Sequence, residues 1–338
     1  VNERALPALA GAGLAVMLAL SLLGTVYGST PLAMGQVMRA LGGQVVAGLD
    51  RDVPLAVTRI VLDLRLPRVV LAACVGCGLA SVGVLLQTTT RNDLADPFLF
   101  GLSSGAAAGA VAVITMLGDE LGVWTLPVAT FAGAALSAAA VLSLVARHQD
   151  QGPERLIIAG LAVSFLFGAL TSFMVFAGDQ RAAYSILFWS VGGLGLASWG
   201  NLPLALLGAG LAVGTGLACH WRLDALLAGD ETAASLGVEV RRLRRFVFIM
   251  AALATACLVA LSGVIGFVGL MVPHLARALV GVRHRRLVLA SAMLGAILLL
   301  AGDLVSRTIM APQELPVGVI TAAAGGVFVL GLVMRKSG

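Results

Sequence analysis

The chain has 338 residues, of which 59% are hydrophobic and only 12% charged, with a mean hydropathy of +1.00. A water-soluble domain keeps about a quarter of its residues charged, so a water-facing surface over most of this chain is excluded. The net charge of +5 sits in short basic clusters between apolar runs, which argues for membrane topology and against a nucleic-acid-binding face.

A helix needs about 20 mostly apolar residues to cross a bilayer. In chain order such runs fall at 6–27, 67–87, 98–117, 123–146, 155–177, 199–219, 243–262, 264–281, 287–306 and 316–334. The first, Leu6–Val26, is too long for a signal-peptide core and is expected to be a span. Abundant glycine, 42 residues, fits helices that pack backbone to backbone. The predicted fold is all-α, a single transmembrane domain over 1–338 with about ten helices. If residue 1 is cytoplasmic, the inside loops carry fourteen Arg and Lys residues against seven outside. That bias puts both termini in the cytoplasm.

Two connections are more than turns. Residues 28–66, outside, hold a short amphipathic helix over Pro31–Leu41. Residues 221–242, inside, read as two short helices punctuated by Gly229 and Gly237, a compact charged element where a soluble partner would dock. There is also an internal echo. Ala80–Ser81–Val82–Gly83–Val84 in the second span parallels Leu261–Ser262–Gly263–Val264 in the seventh, and each is followed by a proline (Pro97, Pro273) and a small-residue helix. The two spans run in opposite directions, as an inverted repeat requires.

The single lysine, Lys336, is followed only by Ser337 and Gly338. No phosphate-cradling loop is expected, so any ATP must be hydrolysed by another subunit. No metal-ligand spacing and no nucleophile elbow occurs, so neither a metal nor a resident cofactor is expected. Of the carboxylates only Asp303 lies within a span, near its outer end, which disfavours a proton-coupled carrier. Cys74 and Cys77 form a CxxC on an apolar helix, read as packing. His274 after Pro273 is read as a helix-kink histidine bonded to a carbonyl, and Arg277 as snorkelling to the inner face. Trp124, Trp189, Trp199 and Trp221 are read as an interfacial belt.

Several runs resemble one family, the permeases of type II ABC importers for cobalamin, ferric siderophores and haem. They are Arg65–Leu66–Pro67–Arg68; Arg91–Asn92–Asp93–Leu94–Ala95–Asp96–Pro97 with Gly101–Leu102–Ser103–Ser104–Gly105; Gly229–Asp230–Glu231 with Ser235–Leu236–Gly237–Val238; Gly266–Phe267–Val268–Gly269–Leu270 with Val272–Pro273–His274; and Glu314–Leu315–Pro316–Val317–Gly318. Asp93 stands where the family form has proline. The resemblance implies a homodimer in the bacterial inner membrane, two cytoplasmic ATPase subunits that bind the ATP, and a periplasmic substrate-binding protein. It implies that Gly229, Asp230, Glu231, Ser235, Leu236 and Gly237 couple to the ATPases.

Arg65, Arg68 and Arg307 at the outer face suit carboxylates on a docking binding protein. The alternative for Arg65 and Arg68 is headgroup anchoring. Arg181, after Asp179, would form a paired cationic rim in a dimer, able to receive haem propionates or anionic siderophores. Its alternative is a local pair with Asp179. The expected function is import of an iron chelate, haem first and cobalamin second. A secondary transporter and an intramembrane enzyme are the rivals from other classes.

Overall fold

A computed structural model describes residues 5–44, 46, 52–116, 122, 124–146, 153–178 and 180–335. These residues fold as helices joined by short connections, with no strand among them. Lys336 lies outside them.

Ten helices fall on the ten expected spans: α1 (Ala5–Val26), α4 (Leu66–Thr90), α5 (Leu102–Met116), α6 (Thr125–Ala146), α7 (Pro153–Ala177), α9 (Leu202–Ala218), α12 (Val240–Ser262), α13 (Val268–Val280), α14 (His284–Thr308) and α15 (Val317–Arg335). Seven of these regions are long and apolar enough to cross a bilayer unaided. An eighth, α9, reaches that length only together with α10 (His220–Leu227), bent 62° from it at Cys219. The remaining two, α5 and α13, have 15 and 13 residues. Each is preceded by irregular backbone, a 3-10 turn at Pro97–Phe100 before α5 and the stretch 263–267 before α13. Non-helical backbone at such depth is tolerated where protein covers it, and Phe100 and Ile265 there are buried. The long helix, break and short helix of α4/α5 recur in α12/α13, which gives the sequence echo a structural counterpart.

The second span extends further than the hydropathy pattern indicates. Helix α3 (Leu55–Arg59) and a π-helical stretch, Ile60–Arg65, run continuously into α4. The amphipathic α2 (Met34–Gly42) turns Val37 and Ala40 onto Val26, Val53 and Val61, which makes a small separate cluster at that end. The Trp199 indole donates to the Leu62 carbonyl at 2.9 Å and ties the connection before α9 to this cap.

Helix α4 is the axis of the bundle, packed by α9, α12, α13 and α14. Its apolar window is 83% buried, against 17% for α1 and for α7. Two glycine seams allow this. Gly76 and Gly295 face each other so closely that a Cβ on either would overlap the other's carbonyl oxygen, and a Cβ on Gly83 would overlap that of Gly269. Side chains here would push α14 and α13 off the axis. A second unit, α5 with α6 and α7, is closed by a similar pair, Gly105 and Gly133. The peripheral helices leave large apolar side chains uncovered, among them Phe165, Phe173 and Phe176 on α7 and Val327 and Leu330 on α15. That surface belongs to lipid or to another chain.

Candidate functional site

Between α9 and α12 lies an elbow of two helices, α10 and α11 (Asp230–Ser235). The expected punctuation is present. Gly229 caps α11 at φ 112° and Gly237 ends the elbow at φ 84°, both conformations that side-chain-bearing residues rarely adopt. Leu223, Leu226, Ala233 and Val238 turn inward onto Val247 and Phe248 of α12, so the elbow is anchored rather than pendant. Glu231, Ser235, Leu236 and Gly237 face outward, with Leu236 64% exposed. Beside them a groove of about 330 Å³ runs along Trp221, Arg222, Gly237, Glu239 and Arg242. Leu236 precedes Gly237, which lines this groove, so the exposed apolar side chain and the charged groove adjoin at the end of the elbow.

Asp230 does something else. Its carboxylate receives Arg91 Nη2 at 2.6 Å and the Arg244 fork at 2.8 Å on each oxygen. The Arg244 Nε also donates to the Thr89 carbonyl at 2.9 Å. Asp230 therefore binds the elbow to the end of α4 and to α12, and its carboxylate is engaged within the chain. A second link lies one turn away. His284, fully buried in the first turn of α14, has Nδ1 2.7 Å from Asp224 Oδ1 on α10 and Nε2 2.7 Å from the Thr88 hydroxyl on α4. Asp224 Oδ1 also accepts the His284 backbone N–H at 2.8 Å.

Sequence reasoning missed Asp224, Thr88 and His284. His284 sits inside Arg283–His284–Arg285–Arg286 and reads as one more basic residue of a topology signal. The available signal was periodicity, since His284, Leu287, Val288 and Ser291 form the buried stripe of α14.

At the opposite end the three arginines expected to dock a partner form an internal clasp. Arg65 donates from Nη1 to the carbonyls of Thr25 (3.1 Å) and Val26 (2.6 Å), and from Nη2 to that of Thr30. Arg68 pairs with Asp303 at 2.8 Å and Glu314 at 2.7 Å. Arg307 pairs with Asp303 at 2.8 Å and donates to the carbonyls of Gly24 and Tyr27. Arg65 and Arg307 are 5% and 2% exposed. This corrects the expectation that they stand free at the surface: the chain leaves its own α1 carbonyls and two carboxylates to be satisfied, and the arginines satisfy them. It equally removes headgroup anchoring for Arg65. Burial pushes the Glu314 carboxyl up, but Arg68, a bond from Ser29 and the charge of Arg307 together hold it below its ordinary 4.5.

Other expectations change as well. Arg277 lies 3.2 Å from Asp93, the residue that departs from the family motif, so it is paired and does not snorkel freely. His274 packs edge-on against Phe328 with ring centroids 5.5 Å apart. Trp189 is buried at 9% exposure and leaves the interfacial belt, while Trp124, Trp199 and Trp221 are exposed. Cys74 and Cys77 are free thiols on the packed axis helix. Arg181 lies in the first turn of α8 (Gln180–Ser190), a helix the hydropathy pattern does not single out. Asp179 and the proposed pairing lie outside the described residues. No group of three or more His, Cys, Asp or Glu able to hold a metal occurs among the described residues.

Comparison with known proteins agrees with this architecture. The model of the FecCD transport family matches residues 14–335. The hemin transport system permease protein of Yersinia pestis is 39% identical over 287 residues, 83% of this chain and 85% of the relative. The cobalamin import system permease protein of Halobacterium salinarum is 40% identical over 294 residues, 86% and 77%. The structure of a metal-chelate type ABC transporter in an inward-facing conformation superposes with a TM-score of 0.82 at 29% identity, over 98% of this chain and 99% of that one. The chain belongs to the FecCD transport family, the permease subunits of type II ABC importers.

Proposed function

We propose that this permease moves an iron chelate, with haem as the cargo, through a homodimer driven by two ATPase subunits on the α10–α11 side. The observation that carries the coupling side is the elbow itself: Glu231, Ser235 and Leu236 face out while Asp230 fastens the same helix to α4 and α12. Force applied to the exposed face therefore has a path into the bundle. The basic residues of this end, Arg241, Arg242, Arg244, Arg245, Arg283, Arg285 and Arg286, support a cytoplasmic elbow by the positive-inside rule. In this reading the chain sits in the cytoplasmic membrane and a binding protein approaches the other end. Arg65, Arg68 and Arg307 meet that protein directly only if their internal partners let go. In the closed clasp they act by holding the mouth in shape.

Haem is supported by the haemin relative. Two copies of Arg181 would offer guanidinium groups to its propionates. Cobalamin import is the second reading, favoured by the Halobacterium relative. A proton-coupled carrier is disfavoured, because Asp303 lies between Arg68 and Arg307 and is no free relay. The test is ATP-dependent uptake into proteoliposomes holding the permease, ATPase and binding protein. Haemin accumulation without cobalamin accumulation is the expected result, and the reverse overturns the cargo. Arg181→Ala should slow uptake about tenfold at sub-saturating haemin while the ATPase activity persists; unchanged uptake removes the cationic rim.

A further inference from the structure

Four successive residues at the end of α4, Gln87, Thr88, Thr89 and Thr90, are buried. Helices normally fray at such a terminus because the last carbonyls lack partners. Here the terminus is held from three directions. Through Thr88 it meets His284 and then Asp224 of α10. Through the Thr89 carbonyl it meets Arg244 and then Asp230 of α11. Through Gln87 Nε2, which donates to the carbonyls of Gly269 (3.1 Å) and Leu270 (3.3 Å), it reaches the first turn of α13.

The histidine link has a defined polarity. A carboxylate only accepts, so Nδ1 carries the hydrogen given to Asp224. In the neutral ring Nε2 is then an acceptor for the Thr88 hydroxyl. Thr88 owns one hydroxyl hydrogen and has two acceptors in reach, Nε2 at 2.7 Å and the Val84 carbonyl at 2.9 Å. Val84 O remains bonded within the helix, whereas Nε2, in a ring with no exposed surface, has no other partner among the described residues. The hydrogen therefore belongs to Nε2, and in so dry a site the chain Asp224–His284–Thr88 is stiff.

We propose that His284 is a positioning residue for transport: with Arg244, and with Arg91 at the cap of α4 paired to Asp230, it makes a three-point grip by which α10 and α11 carry the end of α4, and through Gln87 the start of α13, as one body. The proposal rests on the elbow being the ATPase-facing element. Links at Thr88, Thr89 and Arg91 together resist rotation as well as translation, which a single contact does not. A tilt of the elbow is thus delivered to the buried axis of the bundle and not dissipated at its surface.

The test uses the assembled transporter and needs no cargo. Amide hydrogen exchange is followed by mass spectrometry with and without trapping by Mg-ATP and vanadate. In the wild type, trapping should change exchange in both 220–237 and 84–95. In Thr88→Val, which keeps shape and loses the hydroxyl, the response of 220–237 should persist while that of 84–95 falls about tenfold, a usual size for coupling between sites. Thr88→Ser should respond like the wild type. Where Thr88→Val does not assemble, His284→Asn reads the same link, since it can still donate to Asp224 but is too short for Thr88. A wild-type response of 84–95 in these variants overturns the grip. So does faster exchange there before nucleotide with the trapped change unaltered, which marks packing alone. A wild type with no response in 220–237 removes the ATPase-facing reading itself, and the grip with it.

Discussion

Asp303 receives two guanidinium groups in a place that water barely reaches, at 1% exposure. Removing one member of a buried charge set leaves the others uncompensated and costs about 3–5 kcal/mol. Asp303→Asn should therefore lower thermal stability in nanodiscs by far more than Arg242→Ala, whose pair with Glu239 is 80% and 70% exposed and worth little. A drop no larger than that of the exposed pair would show the clasp to be inert. Asp96 gives a pH dependence of definite sign. Burial pushes its carboxyl up to about 6, opposed by the Phe98 N–H bond. A carboxyl whose folded value lies above its unfolded one stabilises when protonated, so its contribution is full below about pH 4 and is lost as pH rises through about 6. Asp96→Asn should be more stable than the wild type at pH 8, by about 3 kcal/mol at most. The two should converge at pH 4, and parallel melting curves across that range would refute the assignment. At this scale the sequence motifs located the charged residues but left open which way they face, because the direction of a side chain depends on neighbours more than 200 positions away.

Helices were the most legible level. A helix stands at each of the ten apolar runs, and the elbow breaks at two glycines that adopt positive φ. The departures have physical causes. Leu55–Arg65 joins the second span because helix continues without regard to hydropathy, and α5 and α13 are short because buried loops complete them. Helix α8 escaped notice because its eleven residues, Arg181 and Tyr184 among them, hold no long apolar run. The elbow allows a clean separation of surface from support. Leu236→Asp changes only an exposed side chain and should abolish ATP-driven uptake while expression and insertion stay normal; uptake at the wild-type rate would free the segment of that role. Gly237→Trp meets open space but must force a residue with a Cβ into φ 84°. It should lose transport together with some stability.

Across the whole molecule, chain direction fixes which ends coincide. Helix α1 runs toward the arginine clasp and α14 runs from His284 to the same clasp, so α15 returns to the elbow. The start of α1 and the end of α15 therefore lie on the elbow side. Labelling of cysteines placed at Arg335 and at Ser235 should report one compartment, and opposite compartments would refute an even number of crossings. The clasp also imposes an order in time. Arg68 and Asp303 are 235 residues apart, and a ribosome adding about 5–20 residues per second needs about 10–50 s to span that interval. Throughout it the second span sits in the translocon or the young bilayer with Arg68 unmatched, and its glycine seam open to helices not yet made. Birth of this protein is thus a waiting problem. A chain ending after α13 should be held by an insertase or destroyed by membrane proteases, whereas one reaching Glu314 should escape both, a difference that pulse-chase lifetimes of truncated chains would read directly.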